Sequence, residues 1–182
     1  MASIWERLGE AAGYAIGAAI FGPAAAIARR ERRIMRRAFH GWLDEIDAER
    51  LRPRAKGMAR RTGSLRGAEP IPFEAELAPF EKRARVDVAL ALGRDVTAFA
   101  SKPFAGMVHI DETSLDDASA KELAIEIQHS ALGKLETFTL DLRRDRVVLD
   151  VAAPRDVETW IAIEKALAML VETWTQRWTS YR

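Results

Sequence analysis

The chain has 182 residues, 28 Lys and Arg against 27 Asp and Glu, and no cysteine. That length suits one domain with an appendage, and it suffices to bury a single core. An apolar content of 48% with 30% charged residues excludes disorder throughout, and the absence of cysteine excludes disulfides, thiolate metal ligands and cysteine nucleophiles.

The overall charge of +1 hides an asymmetry. Residues 1–28 carry a net −1, residues 29–66 a net +8 and residues 67–182 a net −6. A split of this kind fits a basic segment that meets an anionic partner, or one that docks on its own acidic domain. The first charges, Glu6, Arg7 and Glu10, do not form the positive start of a secretory signal.

The first predicted element is a helix ahead of Pro23. No residue from Ala11 to Ala28 is charged, but the stretch is mostly Ala and Gly, which makes a poor bilayer span. Trp5, Gly9, Gly13, Gly17 and Phe21 recur every four residues, beside a row of Ile4, Leu8, Ala12, Ile16 and Ile20. On a helix these are a groove and a ridge, against which a second helix can pack closely. The row resembles the glycine zippers of membrane-associated and pore-forming helices. That resemblance implies helix packing through Gly9, Gly13 and Gly17, with a second copy of the chain, with a partner helix or in contact with a membrane; the plainer alternative is a helix tucked against the rest of this chain.

A second helix is expected from Pro23 to about Leu51. Arg29, Arg30, Arg32, Arg33, Arg36 and Arg37 crowd its first half, and Met35, Phe39, Trp42 and Ile46 form one apolar stripe. The acids Asp44, Glu45, Asp47 and Glu49 oppose the helix dipole, so they are expected to answer arginines elsewhere. The Arg cluster reads as anion-contacting, toward lipid head groups or, less favoured, nucleic-acid phosphates; the alternative is a solvated face. Residues 52–72, rich in Pro, Gly and Arg, read as a basic linker.

Residues 73–182 read as an α+β domain. Arg85–Leu92 alternates like a half-buried strand, Gly93-Arg94-Asp95 signals a turn, and Val96–Ala100 is expected to return as its hairpin partner. A short strand near 107–110 and a helix near 117–132 follow. Ser114 and Ser119 sit at capping-box spacing from Asp117 and Glu122, and Gly133 is the expected stop. A hairpin of 137–142 with 147–151 precedes a last helix that starts near Pro154. The expected fold class is thus α+β: a two-helix N-terminal arm (1–51), then a small antiparallel sheet with two helices on one face, in a ββα-ββα order.

The last helix carries Trp160, Ile163, Leu167, Leu170, Trp174, Trp178 and Tyr181 on one stripe. Periodicity favours core for this stripe, and its final turns, Trp174, Trp178 and Tyr181, are the candidate interface. For catalysis the sequence offers little. Glu126 and His129 have the spacing of half a di-iron motif without a second copy, and His109, Asp111 and Glu112 lack a nucleophile beside them. Neither phosphate-binding glycine motifs nor a catalytic serine motif occurs. No catalytic residue, metal or cofactor is assigned. The expected role is a non-enzymatic interaction or assembly protein, cytoplasmic or peripheral at a membrane, with itself, a partner helix or an anionic surface as partner. The alternatives are nucleic-acid binding through the Arg helix and the 52–66 linker, and a ligand pocket between sheet and last helix.

Overall fold

A computed structural model describes residues 4–51, 54, 58–90, 95–103 and 106–179, with side-chain surroundings for those from 23 to 177. Helix α1 spans Ile4–Glu45. The strands are β1 (Glu49–Arg50), β2 (Ala59–Leu65), β3 (Ile71–Ala78), β4 (Arg83–Ala89), β5 (Ala98–Lys102), β6 (His109–Thr113), β7 (Phe138–Leu142) and β8 (Arg146–Ala152). Helix α2 (Asp117–His129) follows β6, and α3 (Val157–Thr179) closes the described chain.

The strands form one antiparallel sheet in the order β1-β2-β3-β4-β8-β7-β5-β6. Alternation sets its two faces. Phe73, Ala75 and Leu77 of β3, Ala84, Val86 and Val88 of β4, and Val147, Leu149 and Val151 of β8 are buried beneath the helices. The residues between them, Glu74, Glu76, Arg85, Asp87 and Asp150, stand on the opposite face, where Arg60 meets Glu74 and Arg83 meets Asp150. The α+β class is therefore observed, but the sheet is larger than two ββα units supply.

Three expectations are corrected. The arm is not two helices: α1 runs unbroken through Pro23. Proline lacks one backbone donor and costs a helix interior about 3 kcal/mol, yet the helix continues past it. The supposed linker holds β2 and the start of β3, paired from Ala59↔Leu77 to Leu65↔Ile71. The expected hairpin of 85–92 with 96–100 does not form, because β4 pairs with β3 and β8 while β5 pairs with β6 and β7.

The core is stapled by aromatic rings from both ends of the chain. Trp42 of α1 stacks on Trp160 of α3 at 4.8 Å and 4°, and on Phe73 of β3 at 5.6 Å; Phe39 meets Trp160 edge-on at 5.5 Å. The second half of α1 thus belongs to the domain core. The expected stripe holds, with Met35, Phe39 and Trp42 buried and Ile46 packed at its margin. In α3, Trp160, Ile163, Leu167, Leu170 and Trp174 are all buried.

Candidate anion-binding site

Helix α1 ends in a geometry that builds the site. The Ala48 N–H donates to Leu43 O at 2.9 Å and the Asp47 N–H to Asp44 O at 3.4 Å, with Asp47 at φ 50°. This paired closure with a left-handed residue turns the chain back over the last turn of the helix. The short β1 then returns beside β2, and Arg50 and Arg61 come to flank the end of α1.

Arg61 is buried and points toward that end. Its guanidinium lies 2.8 Å from Asp44 Oδ1, donates to Ala48 O at 2.9 Å, and lies 3.2 Å from His40 Nδ1. A guanidinium only donates, so Nδ1 accepts and the neutral ring carries its proton on Nε2. Burial first, and then the Arg61 charge, holds the His40 imidazole below its ordinary pKa; Asp44 opposes this, while Arg50 and Arg36 add to it.

Two grooves meet at this histidine. One, of about 610 Å³, is lined by Arg29, Arg32, Arg33, Arg36, Arg37, His40, Gly41 and Asp44 of α1 and by Phe80 from the β3–β4 turn. The other, of about 400 Å³, shares Arg36 and His40 and adds Arg50, Leu51, Met58, Ala59, Arg60 and Arg61. The helical period explains the first groove: positions 29, 33, 36, 37 and 40 fall on the side of α1 away from Met35, Phe39 and Trp42. Arg32 lies over the Phe80 ring, 4.8 Å from its centroid.

The structure gathers five of the six candidate arginines of α1 into one groove, and sets Arg30 on the flank with Ala25, Ala26, Arg29 and Arg33. Among the described residues, Arg29, Arg30, Arg33 and Arg37 have no carboxylate within ion-pair distance, whereas Arg54, Arg60, Arg66, Arg83, Arg143 and Arg177 are each paired. Asp44, the one acid in the first groove, is engaged by Arg61. The site can thus receive negative charge and hydrogen-bond acceptors.

Sequence reasoning missed His40, Arg50, Arg60, Arg61 and Phe80. Phe80 carries no local signal, because only the β3–β4 turn brings it to α1. Gly9, Gly13 and Gly17 lie on the α1 helix, and what they meet is outside the described side chains. Of the candidate interface, Trp174 is 1% exposed and belongs to this chain's own core; the Trp178 side chain and Tyr181 lie outside the described residues. Glu126 pairs with Arg177 at 2.8 Å, and Asp111 accepts from Ser101 Oγ at 2.5 Å. Among the described residues no group of three His, Asp or Glu is placed to hold a metal. No protein-family model, no curated protein and no solved structure matches the chain.

Proposed function

We propose that this chain is a non-enzymatic interaction protein that docks on an anionic lipid surface through α1. The observation that carries the reading is the contrast in arginine pairing. Arg60, Arg83 and Arg143 are paired with acids of the same chain, while Arg29, Arg33 and Arg37 stand unpaired among the described residues on one side of α1. A basic residue near an anionic bilayer contributes about 1 kcal/mol. An apolar side chain borders the stripe, Phe80 at 68% exposure. Cations with an exposed apolar neighbour suit the head-group region of a bilayer.

Among the described residues, no helix is long and apolar enough to cross a membrane. The reading is therefore attachment at the surface, on the cytoplasmic face where anionic lipids concentrate. Gly9, Gly13 and Gly17 would let α1 of a second copy pack closely once the chain is attached.

The test is flotation with vesicles of phosphatidylcholine, with and without phosphatidylserine. The full chain should float only with phosphatidylserine, and R29E/R33E/R37E should lose at least tenfold in binding. Equal flotation of the triple variant overturns the reading. Deleting residues 1–66 is no control, since it removes Phe39, Trp42 and Leu65 from the core. If vesicles are ignored while duplex DNA is bound with a steep salt dependence that the triple variant abolishes, nucleic acid is the partner instead.

A further inference from the structure

We infer that the junction of the two grooves at His40 is a specific site for a phosphomonoester. The inference rests on the reading of α1 as an anion-binding face, and names the group that face selects. A smooth basic stripe attracts any polyanion, but the junction is more than a stripe. Arg36 and His40, one helical turn apart, line both grooves, so one ligand placed there faces α1 and the sheet edge together. Arg50 approaches from β1, on the same sheet face as Arg61, its partner in register.

The neutral ring at the centre is held in one tautomer. Arg61 is itself fixed by Asp44 and Ala48 O, and its donation to Nδ1 obliges the neutral His40 ring to present Nε2–H as a donor. Among the described residues Nε2 meets no hydrogen-bond partner. The junction therefore offers donors from two directions around an N–H of set position, and no free carboxylate, since Asp44 is engaged. A phosphomonoester has three terminal oxygens and a charge between about −1.5 and −2 near neutral pH, against −1 for a phosphodiester. It matches a site with several convergent cations better than a single-charge diester or carboxylate does. The group can be the head group of a lipid or a free phosphate.

The full chain has three histidines, so His40 can be followed by imidazole proton resonances. Inorganic phosphate, against chloride at equal ionic strength, should shift His40 saturably and move its titration upward, because a bound dianion favours the imidazolium. His109 and His129 should not respond. R36Q, at an exposed position, should weaken the response about tenfold with the fold intact, and H40Q should weaken binding comparably when followed by calorimetry. A His40 resonance that does not distinguish phosphate from chloride overturns the inference, as does a response unchanged in R36Q.

Vesicles of equal surface charge containing phosphatidic acid or phosphatidylserine separate the sources. Preference for phosphatidic acid that R36Q abolishes assigns the lipid head group. A His40 response to phosphate without such a preference assigns a soluble phosphomonoester. Flotation on phosphatidylserine with a silent His40 leaves surface attachment standing and overturns only this site. A His40 response with no flotation does the reverse.

Discussion

Glu164 has no solvent exposure, yet its carboxylate accepts from four donors: Trp42 Nε1 at 3.1 Å and the Arg66 N–H, Nε and Nη2 at 3.1, 2.9 and 2.9 Å. Burial pushes its pKa up, but the Arg66 side chain, the Arg66 N–H and Trp42 outweigh burial and hold it below the ordinary carboxylate value. Glu164→Ala strands the Trp42 N–H inside the core, and should cost about 2–4 kcal/mol in urea unfolding. Glu74 is likewise lowered, chiefly by its bond from Arg60. Both carboxylates stabilise the fold above their unfolded value of about 4.5, and that contribution is lost as pH falls through their lower folded values. His40 acts earlier. Its folded pKa also lies below its unfolded 6.5, so the folded chain resists the proton and stability should begin to drop as pH falls through 6.5. Melting temperatures measured across pH should show this first decline, and H40Q should remove it while leaving the acid step.

At the scale of elements, two positions depend on backbone geometry. Asp47 occupies the left-handed position that ends α1, where a non-glycine residue costs about 1–2 kcal/mol. Asp47→Gly should raise stability by about 1 kcal/mol and Asp47→Val should lower it, as read by denaturant midpoint. Gly133 is a different case. The sequence marks it as a helix stop, but α2 ends at His129, with Asp116 as its N-cap in place of Ser114 or Ser119. Gly133 instead sits in a 3-10 turn, Leu132–Lys134, where a Cβ would lie 2.0 Å from Gln128 O. Its own carbonyl accepts from the buried Lys102 Nζ at 2.6 Å. Because a backbone carbonyl cannot yield, Gly133→Ala should cost about 2–3 kcal/mol.

Across the whole molecule, charge does two separable jobs. The open sheet face is laced with exposed or half-exposed pairs such as Arg83–Asp150 and Arg143–Asp141, each worth about 0–1 kcal/mol. On α1, Arg29, Arg33 and Arg37 have no carboxylate within ion-pair distance among the described residues. Raising NaCl to about 0.5 M, where the screening length is about 4 Å, should leave the unfolding midpoint nearly unchanged while releasing the protein from anionic vesicles. Parallel loss of both would mean that the stripe also holds the fold. The sheet edges are guarded as well: β1 has only two residues, and β6 exposes His109, Asp111 and Glu112, which discourages strand addition.

What the sequence determined by itself is local and periodic. The α1 stripe of Met35, Phe39 and Trp42, the α3 stripe from Trp160 to Trp174, the β7–β8 hairpin and the arginine side of α1 all follow from spacings within one element. Only the tertiary structure decided the pairings between distant segments. Strand β2 was illegible because two of its core-facing positions are Arg61 and Gly63: the first caps the end of α1, and at the second a Cβ would lie 3.1 Å from Ala48 Cβ. Neither residue signals a strand until α1 lies over it. Strand β4 chose β8 over β5 because β3, β4 and β8 carry one continuous apolar row, Phe73–Val88–Val147, across residues far apart in the chain. The same folding brought Arg50, Arg61 and Phe80 to His40, so a helix that reads as a basic stripe became a site with walls.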